Sequence, residues 1–154
     1  SGDRPMSSLQ DKLHSDLNDA MRAREETRKS ALRMLLAAVT NARIEARADL
    51  DDEAVLTVIQ KQAKQRRESI VEFTKGGRQD LVDKEAAELA ILEAYLPAQV
   101  DRSEIEDAAR KLIAETGATG PRDIGKVMPP LVKQFTGRAD GRAINEVVRA
   151  LLGG

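Results

Sequence analysis

The stretch LRMLLAAVTNARIEAR, residues 32–47, decides the fold class, because its apolar side chains recur with the period of an α-helix. Residues spaced three and four apart share one side of a helix, whereas a half-buried strand would alternate apolar and polar residues. The stretch therefore predicts an amphipathic helix, which we extend over about residues 27–48. Its apolar side is formed by Leu32, Leu35, Leu36, Val39 and Ala42.

Three further stretches before Pro97 have the same period, and no segment alternates like a strand. A first helix begins near residue 8. A third helix begins at Asp51, a favourable N-cap, and ends at the glycine pair 76–77. A fourth helix runs over about residues 79–96 and is stopped by Pro97, since proline lacks the amide donor and its ring clashes with the preceding turn.

Three shorter helices are predicted after Pro97. Ser103 and Glu106 have the spacing of a capping box at the start of the fifth helix, which should end at Gly117. The sixth helix contains Pro129-Pro130, so we expect it to be kinked or split there. The seventh helix should run over about residues 141–152.

The sequence thus predicts an all-α protein with an N-terminal helical bundle of about four helices and a small C-terminal domain of three helices. We place the domains at residues 6–100 and 101–154, and we interpret residues 1–5 as a cloning remnant. The second domain is small enough to be only marginally stable alone.

Composition excludes several classes of protein. The chain has 154 residues, no cysteine and a net charge of -1, so a disulfide framework, a thiolate site and a strongly basic nucleic-acid binder are not indicated. No apolar run reaches the roughly 20 residues that span a bilayer, and no secretory signal is recognisable. We therefore expect a soluble cytoplasmic protein that does not bind a membrane.

No residue pattern indicates catalysis, a metal or a cofactor. The only histidine, His14, lies on the flank of the first helix, where a surface or packing role is the ordinary one. The carboxylates fall in helical charge pairs, and no glycine-rich loop follows a strand. The sequence alone predicts no catalytic residue, no metal ligand and no self-sufficient enzyme.

Arg66 falls in the middle of the apolar side of the third helix, and Glu85 falls in the middle of the apolar side of the fourth. Folding these helices antiparallel about the glycine pair 76–77 brings Arg66 opposite Glu88 and one turn from Glu85. One interpretation is an interhelical ion pair that fixes the register, since buried charges are usually paired. The other is that Arg66 lines a groove for a ligand carboxylate or phosphate.

Basic residues concentrate in two zones, one within residues 61–78 and one from residue 120 onward. In the second zone, TGRADGRA (residues 136–143) precedes a helix whose first turn is capped by Asp140. Either Arg138 and Arg142 bind a phosphate with the free amides of that turn, or they pair with Asp140 and Glu146. The candidate RNA-binding residues of the two zones are Lys64, Arg67, Lys126, Lys133, Arg138 and Arg142.

Several blocks, in order and spacing over nearly the whole chain, resemble the GatB/YqeY family. The family comprises free-standing YqeY-like proteins and the homologous tail of the B subunit of glutamyl/aspartyl-tRNA amidotransferase. Pro129-Pro130 departs from the small residue that many relatives have after Met128. The blocks are LRMLLAAVTNARIEAR (32–47), KQRRESIVEF (64–73), GGRQDLVDKE (76–85), ILEAYLP (91–97), DIGKVM (123–128) and GRADGRAINEVVRALL (137–152).

The resemblance implies a helical N-terminal unit, a small C-terminal helical unit and a role beside tRNA. In the amidotransferase the tail helps to hold tRNA, and the family label is carbon–nitrogen ligase with glutamine as amide donor. Nothing in these residues supports that activity for the chain by itself. We therefore expect a non-catalytic accessory module that binds tRNA, beside an amidotransferase or another translation-related protein. The alternative is a helical protein–protein adaptor that does not bind RNA.

Overall fold

The computed structural model describes residues 7–153, in which seven α-helices and a short 3₁₀ helix occur and no strand does. The predicted all-α class is confirmed for this part of the chain. Residues 1–5, interpreted above as a cloning remnant, lie outside the described residues. The α-helices are α1 Ser8–Arg22, α2 Glu26–Ala46, α3 Asp52–Lys75, α4 Gln79–Glu93, α5 Arg102–Thr116, α6 Ile124–Gln134 and α7 Gly141–Leu152; the 3₁₀ helix is Pro121–Asp123.

The chain divides into two compact units, Ser1–Leu96 and Pro97–Gly154. In the first unit α1 packs on α2 and α3, α2 on α3 and α4, and α3 on α4. The apolar side of α2 supplies much of the buried core, since four of its five predicted apolar residues are buried. The core is aliphatic, and its fully buried large side chains are Leu13, Leu32, Leu35, Val39, Val55, Ile59 and Leu92.

The hairpin of α3 and α4 follows from its end signals. The Asp51 carboxylate accepts the Ala54 amide at 2.8 Å and caps α3, as predicted. Gly77 adopts a φ of 70°, a left-handed conformation that favours glycine, and turns the chain into α4.

Helix α4 ends at Glu93, earlier than predicted. The last turn tightens, because the amides of Tyr95 and Leu96 bond to carbonyls three residues back, at 3.1 and 3.0 Å. Pro97 disfavours the helical conformation at the residue before it, which explains why the α-helix stops short of the proline.

In the second unit α5, α6 and α7 pack against one another around a separate core. The predicted capping box at Ser103 is wrong, because the N-cap of α5 is Asp101. Its carboxylate accepts the Glu104 amide at 3.1 Å, and the Ser103 hydroxyl donates to the same oxygen at 2.8 Å. The end at Gly117 is confirmed, with a φ of 70°.

Helix α6 is continuous through Pro129 and Pro130. The helix is therefore not split at the prolines. Both prolines lie on the exposed side of α6. Their rings would deprive the carbonyls of residues 125 and 126 of helical partners, and both of these residues are exposed. Water can therefore solvate these carbonyls, whereas Val127 and Leu131 hold the opposite side of α6 in the core.

Candidate functional site

The loop of residues 135–140 joins α6 to α7 and positions the arginines of TGRADGRA. The buried Phe135 ring anchors its start, and Gly137 has a left-handed φ of 75°. Asp140 caps α7, since its carboxylate accepts the Arg142 amide at 2.8 Å. That backbone donor is consequently occupied by the protein's own carboxylate, and a phosphate would depend mainly on the side chains around it.

The loop backbone is held in place by the segment that precedes α5. The Val100 amide donates to the Arg138 carbonyl at 3.1 Å, and the Gln99 side-chain amide donates to the Gly137 carbonyl at 2.9 Å. The Arg138 Nε donates to the Ala98 carbonyl at 3.3 Å. These three bonds fix the loop, so ligand binding there would require little ordering of the backbone.

The two arginines of the loop have different surroundings. Arg138 is 40% exposed, lies 3.7 Å from a Glu104 carboxylate oxygen and stacks with its guanidinium carbon 5.9 Å from the Phe135 ring centre. Arg142 is 79% exposed, and its one ion pair in the described chain is with Glu146, at 3.6 Å. Exposed pairs of this kind contribute little energy, so Arg142 remains available to an external anion.

Two lysines share the exposed side of α6. Lys126 and Lys133 are seven residues apart, which is nearly two turns and about 10 Å along the helix. Lys126 lies 3.3 Å from an Asp123 carboxylate oxygen. Lys133, at the end of α6 next to the loop, is exposed and forms no ion pair within residues 7–153. We call Lys126, Lys133, Arg138 and Arg142 the basic loop surface. Within it, Lys133 and Arg142 are the cations most available to a ligand.

Lys64 and Arg67 belong to the first unit and lie on α3. Both are half-buried, and an Arg67 terminal nitrogen is 3.7 Å from a Glu93 carboxylate oxygen on α4. The acidic partner reduces the local positive potential. This part of α3 is therefore a weaker candidate for phosphate binding than the basic loop surface.

Arg66 meets both carboxylates that the helical wheel placed near it. Its Nε is 3.1 Å from Glu88 Oε2 and 3.4 Å from Glu85 Oε2, and its side chain is only 11% exposed. Neither contact has hydrogen-bond geometry, because Arg66 Nε and Glu85 Oε2 are both without a hydrogen-bond partner. One terminal nitrogen instead lies 3.6 Å from Met34 Sδ. An incoming anion would meet two carboxylates here, so the geometry favours an ion cluster between α3 and α4 over an anion groove.

A polar cluster between α1, α2 and the end of α4 was missed by the sequence reasoning. The Tyr95 hydroxyl donates to Asp16 Oδ2 at 2.5 Å, and Lys12 Nζ donates to the same oxygen at 3.3 Å. An Arg28 terminal nitrogen lies 3.8 Å from Asp16 Oδ1. The sequence does single out Tyr95, because it is the only tyrosine and follows the end of a helix with an apolar side. Nothing in the sequence, however, pairs Tyr95 with Asp16, which lies 79 positions away.

The cluster shifts two pKa values. Burial acts to raise the pKa of the Asp16 carboxyl, but hydrogen bonds from Tyr95 and Lys12, with the charges of Lys12 and Arg28, outweigh burial and lower it. Burial, together with the hydrogen bond to Asp16 and its negative charge, raises the pKa of Tyr95 to about 12. At neutral pH the phenol is therefore a neutral donor to an ionised carboxylate.

Two features of the described residues bear on other kinds of site. No group of three or more potential metal ligands occurs within residues 7–153. Over the same residues, no helix combines the length and apolar character needed to cross a bilayer. His14 is exposed on α1.

Fold and surface together define an all-helical protein of two small units, the second with a fixed basic loop between its last two helices. The chain belongs to the YqeY-like family: the family model described as "Yqey-like protein" matches residues 10–152. The match covers nearly all the described residues and confirms the resemblance seen in the sequence.

The chain is also similar to fungal proteins named "Altered inheritance of mitochondria protein 41, mitochondrial". The protein from Pyrenophora tritici-repentis is 33% identical over 92% of this chain and 80% of its own length. The one from Kluyveromyces lactis is 35% identical over 90% of this chain and 72% of its own length. The one from Eremothecium gossypii is 43% identical over 64% of this chain and 54% of its own length.

The expectation of a cytoplasmic protein is contradicted by these relatives, each of which is named as mitochondrial. That expectation rested on finding neither an apolar span nor a secretory signal. Mitochondrial targeting uses amphipathic, arginine-rich segments that such a search does not detect. The core and surface residues of a small helical domain do not indicate the cellular compartment.

Proposed function

We propose that the chain is an accessory module that binds tRNA through phosphate contacts at the basic loop surface. The observation that carries the proposal is the pair of exposed cations, Lys133 and Arg142, on either side of a loop that residues 98–100 hold in place. A fixed loop with available cations can bind phosphates with little ordering cost.

RNA is the chosen anion because the chain resembles the amidotransferase tail, which helps to hold tRNA. The four cations of the basic loop surface can contact the phosphates of an RNA backbone. Such contacts carry no sequence information by themselves. We therefore expect binding with little preference among tRNAs. The proposal assigns no chemical step to the chain.

Affinity should be modest. The whole chain has a net charge of -1, so long-range attraction to RNA is weak and binding depends on the local surface. Each neutralised phosphate releases counterions and contributes about 0.7–0.9 to the slope of log affinity against log salt. Binding should be detectable at low salt and should fall steeply towards physiological salt.

The test is a titration of labelled bulk tRNA with the full chain, followed by fluorescence anisotropy at several salt concentrations. A saturable signal whose affinity falls linearly on logarithmic axes supports the proposal. A poly-anion without nucleobases, such as heparin, serves as the comparison. Absence of tRNA binding at the lowest salt would contradict the proposal.

The adaptor hypothesis stays a prediction. An adaptor needs a contiguous exposed apolar patch of a few hundred Å² or more. The exposed large apolar side chains of the described residues are distributed over four helices, and single exposed residues of this kind are normal on protein surfaces. They are Met21 on α1, Met34 and Ile44 on α2, Val71 on α3 and Val132 on α6.

A further inference from the structure

An open cleft of about 410 Å³ lies in the first unit, between α1, α2 and the end of α4. Its polar side is the cluster of Lys12, Asp16, Arg28 and Tyr95. Its apolar side is a short surface of α4 and the turn that follows, formed by Ala90, Ile91 and Ala94. We call it the Tyr95 cleft. Its volume falls at the lower end of the range for small-molecule sites, about 300–1,000 Å³.

The charged residues that line the cleft, two cations and one carboxylate, sum to one positive charge. Lys12 and Arg28 both lie against Asp16, on its two different oxygens, at 3.3 and 3.8 Å. The Asp16 side chain is only 14% exposed and also accepts the Tyr95 hydroxyl, so it is committed to the protein. Because Tyr95 is neutral, the residues that line the cleft leave one positive charge, which Arg28 shares with the Glu25 carboxylate outside the cleft, at 3.8 Å.

Arg28 is the residue most suited to bind that charge. Its side chain is 31% exposed, and its two ion pairs, to Asp16 and Glu25, are both 3.8 Å long. Its guanidinium also lies close enough to the Tyr95 hydroxyl to act against the rise in the pKa of Tyr95. A guanidinium has five donors in a planar fork that matches a carboxylate. Glu25, on the surface and one turn away on the same segment, does not line the cleft.

The apolar side determines what the anion is attached to. Ala90 and Ala94 are one helical turn apart and have small side chains, which leaves a shallow surface beside Ile91. A short aliphatic group would bury its own surface there while a carboxylate reached Arg28 and Lys12. A phosphate diester backbone would leave this apolar surface uncovered.

We propose that the Tyr95 cleft binds an aliphatic monocarboxylate, either a free short-chain acid or the carboxyl end of a peptide. Arg28 and Lys12 bind the carboxylate, Asp16 and Tyr95 hold these cations in position, and Ala90, Ile91 and Ala94 contact the aliphatic part. The site lies in the first unit and does not depend on the proposed RNA contacts of the second.

The test uses the full chain, isotopically labelled for amide NMR, and three probes: octanoate, 1-octanol and a tripeptide acetyl-Ala-Ala-Leu with a free carboxyl group. We expect octanoate or the peptide to shift the amide signals of residues 90–94 and to bind about tenfold more tightly than octanol, since the charge is recognised. Whichever acid binds identifies the source of the carboxylate.

Two variants and a control complete the test. Arg28→Gln and Lys12→Gln should each weaken binding of the acid about five- to tenfold without changing the affinity for octanol. Arg22→Gln, which removes an exposed cation of α1 outside the cleft, should change neither affinity. The proposal would be overturned if neither acid bound more tightly than octanol, or if neither acid shifted the signals of residues 90–94.

Discussion

Arg66 in the first unit and Arg142 in the second show how differently the two regions use the same side chain. Arg66 is almost entirely buried beside Glu85 and Glu88, and its charge is shared between two carboxylates. Arg142 is mostly exposed and has one weak partner on its own helix. A buried arginine contributes to the fold and is inaccessible, whereas an exposed one contributes little to the fold and can bind a ligand.

The largest expected effect is on stability in the first unit. Arg66→Met should lower the free energy of unfolding by on the order of 3 kcal/mol, because it leaves two neighbouring carboxylates without their cation. Urea denaturation measures this. The double variant with Glu88→Leu should recover much of the loss.

Arg67→Met provides the matched control on the neighbouring residue. Arg67 and its partner Glu93 are both about half exposed, so the loss should stay below about 1 kcal/mol. Equal losses for Arg66→Met and Arg67→Met would show that burial does not distinguish the two arginines, and the comparison with Arg142 would fail.

The polar cluster of the Tyr95 cleft should be visible in a pH titration. Tyr95 is the only tyrosine and no tryptophan is present, so the ultraviolet absorbance of tyrosinate reports on this residue alone. We expect a pKa of about 12 in the folded chain and about 10 in urea. Because the folded pKa is the higher one, the stabilisation is complete below about pH 10 and is lost as the pH rises towards 12.

Asp16→Asn separates the causes of that shift. Removing the negative charge should bring the pKa of Tyr95 part of the way down towards its ordinary value, while burial keeps it raised. A folded chain whose tyrosine titrates at about 10 before the substitution would show that the Tyr95 hydroxyl is not held against Asp16.

A smaller effect on stability should show which residue, Asp101 or Ser103, is the N-cap of α5 in the second unit. Asp101→Ala should cost about 1 kcal/mol, because the carboxylate accepts the Glu104 amide. Ser103→Ala should cost less than about 0.5 kcal/mol, since its hydroxyl contacts the cap and no backbone amide. Thermal or urea unfolding of both variants measures the two losses of stability. A larger loss for Ser103→Ala than for Asp101→Ala would favour the capping box at Ser103.

The helices could be predicted because each has a periodic apolar side and local end signals, as α2 and the turn at Gly77 show. Errors came where two signals competed over a few residues. Asp101 and Ser103 are both good caps, and only the backbone path decides between them. Pro129 and Pro130 are tolerated because their side of α6 is exposed, a property that depends on packing by the rest of the unit.

The surroundings of the candidate residues were harder to predict. Pairing Arg66 with Glu85 and Glu88 needed only one hairpin turn, and the helical wheel was enough to place them near one another. The contacts of Arg138 with Ala98 and Glu104, and of Tyr95 with Asp16, join residues far apart in the chain. Without the packed fold, nothing in the sequence separates the engaged Arg138 from the available Arg142.

The salt dependence of tRNA binding in a double variant tests the proposed RNA contacts most directly. Lys133→Gln combined with Arg142→Gln avoids Arg138, whose contacts hold the loop, and should change stability by less than about 0.5 kcal/mol. The control is Arg22→Gln combined with Lys84→Gln, which removes the same charges from exposed positions of the first unit. We predict that the salt slope falls by about 1–2 in the first variant and is unchanged in the control. Equal slopes in the two variants would contradict phosphate binding at the basic loop surface.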